Sequence, residues 1–549
     1  MKNGPIMARI NRRHFLLGAA GLAAGVAGLR IAGAALDTPK IIAGGIVGAN
    51  AQAGHRLRTG DFPSVTEAHQ HDVVIIGGGI AGLSAAWKLQ QAGVKNYRVL
   101  ELEDTMGGTS QSGSNAVSAY PWGAHYVPLL TQEATAAQEL FQELGIIIGM
   151  QDGWPLYNEY HLCADVHERL YMAGRWQEGL VPQLGLTTTN RAQYEAFFTR
   201  MEYYKNRRGS DGKRAFAIPL AYSSTDTELR ALDKISMADY MNQQGWNAKP
   251  LRWYVDYCCR DDFGAPSTAV SAWAGIHYFA ARNGRSANAE TQDVLTWPAG
   301  NGWIVQQLQQ KLRGTLSTQQ LVYAVETTAK GVEVTCLDLH RNISQRFNAR
   351  AAILAVPQFV AQHLLKTSAS AAPIPAPHYS PWLVANITVN IMPQGKGTRL
   401  AWDNVIYDST LLGYVVATHQ NLNRVQHETV LTYYWPLDQH TPAIARQNAL
   451  ARPYTEWQET ILAELFRIHP ELKEAVQRVD IWLWGHGMIR PVPDYIWNTA
   501  RLADTPSPPV FMAHSDMSGI AIFEEANYHG VRAAENLLTF LGQPFRSSL

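Results

Sequence analysis

Apolar positions along the chain recur with two periods, and between them they predict an α/β core. His71–Ile76 (HDVVII) is a continuous apolar, β-branched run, the pattern of a strand buried on both faces in a parallel sheet. After the glycines at 77–79, the stretch Leu83-Ser84-Ala85-Ala86-Trp87-Lys88-Leu89 reads as an amphipathic helix. Tyr97–Leu102 is a second short strand. Helical patterns cover Glu133–Leu144, Arg191–Lys205 and Trp253–Phe263, with a hairpin-like stretch between Tyr157 and Trp176. Strands are predicted around Leu321–Val325, Gly331–Val334, Ala351–Val356, Leu383–Ile391 and Thr429–Trp435. The C-terminal piece is a strand over Pro509–Asp516, ending in an acid, and then a helix through Glu524–Ala534. Residues 36–69 read as a poorly structured arm and Ser368–Pro377 as a Pro/Ala loop.

With 549 residues the chain is long enough for more than one folded unit. At 46% hydrophobic and 17% charged residues it is neither disordered, collagenous nor coiled coil. Balanced charge, 46 basic against 46 acidic, gives no argument for a nucleic-acid partner. Four cysteines exclude a disulfide scaffold, and they read as buried thiols. Sixteen Trp and 23 Tyr suit an aromatic-lined pocket and a large core equally.

Residues 1–34 carry five basic residues and no acid, and Phe15–Leu29 is too short to span a bilayer. A basic start, a modest apolar stretch and small residues at Ala32-Gly33-Ala34 make an export signal. Arg12-Arg13-His14-Phe15-Leu16 resembles the twin-arginine signal of bacteria, whose machinery exports folded proteins to the periplasm. A second Ala-x-Ala at Ala49-Asn50-Ala51 leaves the cleavage point open, and an uncleaved anchor is the alternative. Without the signal, 41 basic residues face 46 acidic ones.

The strand at 71–76 runs into Gly77-Gly78-Gly79-Ile80-Ala81-Gly82. Gly77 permits a tight turn, Gly79 lets backbone approach a pyrophosphate, and Gly82 lets the helix pack on the strand. Ile80 and Ala81 open that helix, whose N–H groups and dipole favour an anion. Glu101 ends the second strand 19 residues past Gly82, where a carboxylate accepts from the adenosine ribose. Strand, glycines, helix, strand and acid in this order predict a dinucleotide site.

The residues after Glu101 separate FAD from NAD. After five further residues come Gly107-Gly108, and from here the chain resembles the flavin-dependent amine oxidase superfamily of monoamine, polyamine and L-amino-acid oxidases. Trp122-Gly123-Ala124-His125-Tyr126-Val127 looks like the family's segment beneath the flavin ring. Trp297–Gly302, Leu321–Val325 and Ala351–Pro357 continue the match, and Pro509–Asp516 with Ser518-Gly519 completes it. The resemblance implies an interrupted Rossmann-like FAD-binding domain (70–130, 292–360 and 505–549) around a mixed α+β substrate domain (131–291 and 361–504). It also implies that Gly107, Gly108, Thr109, Gly123, Ala124 and His125 line the cofactor, that backbone at Val322 meets adenine, and that Asp516 lies near the ribityl chain. The C-terminal helix would point its N-terminus at the flavin's pyrimidine edge, and Glu524 and Glu525 are expected there as ordinary first-turn acids.

Several positions depart from the family. Its active-site lysine aligns with Asn386, which holds a water but cannot change charge. Ile520 or Ile522 stands where a substrate-flanking tyrosine is usual, and Thr109 replaces an arginine. No cysteine occurs after Cys336, so the expected FAD is noncovalent. His125, Tyr126 and Asn386 are the catalytic candidates, while His486 and Arg490 are candidate substrate contacts. His161, Cys163 and His167 lack a second pair at zinc spacing, so no metal is expected. Cys258-Cys259 reads as a buried pair rather than a redox pair. Trp273, His277 and Tyr278 share a helical face that suits core packing or a pocket. The expectation is an exported FAD-dependent oxidoreductase of the amine oxidase type. It takes hydride from a small donor, an amine or amino acid C–N bond, and passes electrons to oxygen or another acceptor. The alternatives are a desaturase-like flavoprotein on an apolar substrate and a non-catalytic flavin-binding partner of an exported complex. No nucleic acid and no stable membrane span enter this picture.

Overall fold

The computed structural model describes residues 42–365, 376–421, 425–503 and 506–549. The export signal therefore lies outside the described residues, as does most of the Pro/Ala loop. Gly44–Leu549 forms one compact unit.

The predicted parallel core is present. Val65–Ile76 sits in the middle of a sheet between Tyr97–Leu100 and Ile343–Leu354, parallel to both. Leu316–Ser317 and Val510–Met512 add further parallel pairs, and Gly331–Asp338 with Gln320–Thr328 closes the other edge antiparallel. Three segments distant in sequence thus build one sheet, as the resemblance implied. Val73, Val74 and Ile75 are fully buried, which explains why that run does not alternate. The strand begins six residues earlier than its apolar run because pairing with Ile343–Leu354 continues through its half-exposed first half. The helices Ile80–Gln91 and Phe523–Leu541 cross the sheet in close contact: a Cβ on Gly530 would stand 2.2 Å from the Ala81 carbonyl oxygen.

Among the described residues three two-stranded ribbons accompany the two sheets, and the second sheet has eight strands. From one edge its order is 44–48, Val476–Ile489, Tyr379–Val389, Thr429–Pro436, Gly413–Val416, Asp403–Ile406, Glu168–Met172 and Arg175–Glu178. The hairpin expected between Tyr157 and Trp176 forms further along, as Glu168–Met172 with Arg175–Glu178, and joins this sheet through Asp403–Ile406. The helices Thr188–Asn206, Lys249–Phe263 and Ala272–Ala280 have their own apolar core. All four cysteines are free and buried.

The arm expected over 36–69 is ordered where it is described. Residues 44–48 pair as an edge strand, and Ala51–Thr59 is a helix capped by the Asn50 side chain and by Gly60 in left-handed conformation. The helix escapes a periodicity search because only Ala53 on it is buried, so it carries no apolar stripe.

Candidate active site

Three glycine-bearing turns fold onto one another at the C-terminal edge of the parallel strands. Gly77 adopts φ 103°, and a Cβ there would meet the Ala355 carbonyl at 2.3 Å; one on Gly82 would meet the Gly77 carbonyl at 1.9 Å. Both glycines are required by the fold itself. Gly79 differs, because a Cβ on it finds nothing nearer than 3.9 Å. It is the N-cap of Ile80–Gln91, with no side-chain cap and no acid in the first turn. The first-turn N–H groups of Ile80, Ala81 and Gly82 therefore offer an uncompensated positive end beside the Gly107-Gly108 turn. That turn is held by Gly107 N–H donating to the Gly78 carbonyl (2.8 Å). The third segment docks through Ala124 N–H to the Thr109 carbonyl (2.8 Å), and a Cβ on Gly123 would stand 2.3 Å from the same oxygen.

Glu101 is buried beneath this cradle. Its carboxylate accepts from the N–H groups of Gly78 (2.7 Å) and Glu103 (2.9 Å). Burial raises its pKa and those two bonds oppose the shift. One bond to each oxygen leaves acceptor capacity for a pair of hydroxyls. Gln320 N–H donates to the Glu101 carbonyl (2.7 Å), which brings buried Val322 alongside. An uncapped helix start, a glycine cradle open at Gly79 and a buried acid with spare lone pairs fit the adenosine and pyrophosphate of a dinucleotide.

Asp516 is fully buried and already engaged. Its carboxylate accepts from Gln358 N–H (3.0 Å) and the Tyr379 hydroxyl, with the His514 ring at 3.0 Å. Burial would raise its pKa, but His514, Tyr379 and Gln358 outweigh that and hold it below the usual range. The acid thus fastens the last strand segment to the strand Tyr379–Val389 of the eight-stranded sheet. Glu524 and Glu525 are not exposed first-turn acids: both are buried, and burial pushes each to about 7. Glu525 accepts from Leu220 N–H (2.5 Å) and from the Ser518 hydroxyl, which also meets His529 (2.7 Å).

The segment Pro121–Tyr126 lies against the eight-stranded sheet. Asn386 Nδ2 donates to the Pro121 carbonyl (3.0 Å), and Asn386 Oδ1 accepts from the Thr432 hydroxyl (2.7 Å). Tyr434 donates to the Gly123 carbonyl (2.9 Å), and Trp484 Nε1 to the Trp122 carbonyl (2.6 Å). Asn386 thus stands beside the expected flavin segment, and strand register sets Asp480 directly opposite it. Asp480 binds Arg478 through Oδ2 (2.6 Å), while its buried Oδ1 has no partner among the described residues. The His125 ring lies 4.5 Å from Tyr434, 5.5 Å from Trp402 and 5.1 Å from Tyr126. Burial lowers the His125 pKa to about 4, so the imidazole is neutral at pH 7.

Other candidates divide. Trp273 and His277 are core residues, His277 Nε2 meeting the Ala217 carbonyl at 3.0 Å, whereas Tyr278 is stacked under Arg282 at 4.1 Å. Arg490 is a strut from Ser380 Oγ (3.1 Å) to the Gly264 carbonyl (3.2 Å), and His486 stacks on Phe359. His161 accepts from Trp297 Nε1 (2.7 Å), and His167 Nε2 meets the Cys163 carbonyl at 2.9 Å. Among the described residues no His, Cys, Asp or Glu group is arranged to hold a metal. Ile520 is buried in the helical core, and the aromatic rings around His125 are those of Tyr126, Trp402 and Tyr434. Trp402, Tyr434, Asp480 and Thr432 carry no local motif and are invisible in the sequence, because only strand register brings them to the site.

Comparison with known proteins agrees with this geometry. A family profile for the NAD(P)-binding Rossmann-like domain matches residues 75–144. No curated protein sequence matches the chain. Among solved structures the chain resembles a putrescine oxidase bound to putrescine (TM-score 0.61, 17% identity, 86% of this chain and 100% of that one). It also resembles the cyclohexylamine oxidase of Brevibacterium oxydans IH-35A (TM-score 0.60, 15% identity, 86% and 99%). A third neighbour is a fatty acid isomerase from P. acnes that produces CLA (TM-score 0.59, 14% identity, 86% and 98%). The chain therefore has the fold these enzymes share, an α/β structure with a Rossmann-like dinucleotide-binding domain.

Proposed function

We propose that this chain is an FAD-dependent oxidoreductase of the amine oxidase type, taking a hydride from the C–H next to a donor nitrogen as the C–N bond becomes C=N, and passing the electrons to oxygen or another acceptor. The observation that carries the reading is the uncapped, buried start of Ile80–Gln91 facing Gly107-Gly108, with Glu101 beneath it. Bound FAD supplies the two-electron acceptor. The chain's part is to bind and orient. First-turn N–H groups of Ile80, Ala81 and Gly82 hold the pyrophosphate, Glu101 takes the ribose hydroxyls, and Val322 backs the adenine. Asn386 and Thr432 lock the Pro121–Gly123 segment in place, and Tyr126, Trp402 and Tyr434 keep water from the reacting carbon. Asn386 cannot take a proton and His125 is neutral, so the donor nitrogen reacts in its uncharged form. With no cysteine after Cys336, FAD is held noncovalently.

The twin-arginine pattern at residues 12–16 supports export of the folded, loaded protein to a bacterial periplasm. No helix of the described residues is long and apolar enough to cross a membrane. Asn386 and the likeness to the fatty acid isomerase favour a second reading, flavin chemistry on an apolar substrate. Anaerobic titration of the purified protein with amines, amino acids and an unsaturated fatty acid separates them. Bleaching of the oxidised flavin spectrum by an amine supports the first reading. A flavin spectrum that no amine bleaches removes it.

A further inference from the structure

Residues 44–62 run as an arm from the eight-stranded sheet to the adenosine end of the glycine cradle. At its start the arm is fitted to the sheet: a Cβ on Gly44 would stand 1.7 Å from the Val479 carbonyl oxygen, and one on Gly48 would stand 2.5 Å from the Trp482 ring. Ala49 packs against the aromatic cluster that holds Trp122 and Trp482. The chain then turns into the helix Ala51–Thr59, which meets the segment just past the strand Tyr97–Leu100. Asn50 N–H donates to Glu103 Oε1 (3.0 Å), and Glu103 N–H donates in turn to Glu101 Oε1 (2.9 Å). A Cβ on Gly54 would stand 3.8 Å from Leu102 Cδ2, and Leu57 packs on the core cluster that contains Leu100 and Val322.

At the far end of the arm Phe62 stacks face to face on Tyr323, with ring centroids 3.9 Å apart and planes 4° apart. Tyr323 is not an ordinary strand residue. The pairing of Gln320–Thr328 with Gly331–Asp338 slips between Val322 and Ala324, which leaves Tyr323 as the extra residue of a bulge. A bulge re-aims a side chain and takes its residue out of the ladder, and this one adjoins the backbone that backs the adenine. The arm thus closes on both groups offered to adenosine: on Glu101 through Glu103, and on Val322 through Tyr323. Its own hold is slight, because only Ala53 on the helix is buried. A segment with so few buried contacts opens locally, well below the free energy of global unfolding, so a ligand beneath it contributes much to keeping it shut.

We infer that residues 44–62 are a further segment of the dinucleotide site, a strap that closes over the adenosine half of FAD through the contacts of Asn50 with Glu103 and of Phe62 with Tyr323. The inference rests on the FAD reading. Asn50 and Phe62 are positioning residues, acting through Glu103 and Tyr323. Linkage makes the coupling reciprocal: if the closed strap tightens nucleotide binding, the nucleotide holds the strap closed by the same factor. On the export reading the inference also assigns the cut that removes the signal. Ala49-Asn50-Ala51 lies inside the strap, and cleavage there would release strand 44–48 and the Asn50 contact, so removal falls at Ala32-Gly33-Ala34.

The test takes the full chain, stripped of flavin, through titration with FAD and with ADP and through limited trypsin digestion. Phe62→Ala and Gly48→Val loosen the strap at its two ends, and each should raise both dissociation constants about 10-fold. Gly45→Ala, on the same strand but with nothing within 4 Å of its Cβ, should leave them unchanged. In the wild type, saturating ADP should slow cleavage after Arg56 and Arg58 by about 10-fold, since the strap closes on the adenosine half alone. Wild-type affinities in both variants, or cleavage at Arg56 and Arg58 that ADP does not slow, would overturn the inference. The digestion decides even if a variant fails to fold. An exported chain that begins at Gln52 and keeps its FAD would overturn it as well. A wild type that binds neither nucleotide would remove the FAD reading together with the strap, whereas tight binding indifferent to the strap would remove the strap alone.

Discussion

Replacing Asp261 by asparagine should stabilise the ligand-free protein, and more so as pH rises. The folded chain lifts this carboxyl from 3.8 to about 7, chiefly by burial and then by Asp262. Between those values the folded state holds a proton that the unfolded chain has released, so stability falls as pH rises through the window. A shift of about 3 units corresponds to a ceiling of about 4 kcal/mol. Residual hydration and sharing of the proton with the neighbouring acids Glu168 and Asp403 reduce this to about 2 kcal/mol. Unfolding entropy near 2.1 cal/mol/K per residue gives about 1 kcal/mol per kelvin for a chain of this size, hence a Tm gain of about 2 K at pH 8. At pH 5, roughly a third of the window has been crossed, and the gain should shrink in proportion. Differential scanning at one scan rate, wild type against Asp261→Asn at both pH values, provides the comparison. A difference that is equal at pH 5 and pH 8, or a loss at pH 8, would refute the desolvation of Asp261 beside other acids.

Gly79→Ala and Gly82→Ala should part company. The first has open space for its methyl and should fold with Tm changed by about 1 K or less while binding FAD about 10-fold more weakly; the second forces a Cβ onto the Gly77 carbonyl and should cost about 3 kcal/mol or more, read as lost soluble yield. Asn386→Leu leaves the Pro121 carbonyl and the Thr432 hydroxyl unpaired and should cost about 2–4 kcal/mol in denaturant melts, since each orphaned buried group is worth about 1–3. His125, lowered to about 4 by burial, gains charge only below that pH, so kcat/KM between pH 5 and 8 should show no limb from this ring and His125→Gln should not change the profile's shape.

The adenosine half of the site is legible in the sequence because its determinants are local. Gly77, Gly79, Gly82 and Glu101 lie within one strand–helix–strand unit, and each answers to a steric or electrostatic demand of that unit. The substrate side is legible only through likeness, and incompletely. Likeness puts Asn386 beside the flavin segment, but its partners Thr432 and Asp480 come from strands 46 and 94 residues further along the chain, and nothing short of register predicts them. Glu168 and Asp403 become neighbours through a pairing between segments more than 200 residues apart. Asp261 shares a helix with Cys258 and Cys259, and a vicinal cysteine pair stands out in a sequence where a lone acid carries no motif. At Asp516 the motif finds the residue, while the Tyr379 and Gln358 partners of its carboxylate come from segments more than 130 residues away that carry no local signal for it. The ordered helix Ala51–Thr59 escapes sequence reading because it is held by its caps rather than by an apolar face.

The cofactor itself is the most direct test. The purified protein, incubated with FAD, gel-filtered and then denatured, releases its nucleotide for chromatography and mass measurement. The structure predicts close to one FAD per chain in the wild type and much less in Gly79→Ala at equal Tm. A well-folded wild type that retains no flavin, or retains NAD in its place, would contradict the account.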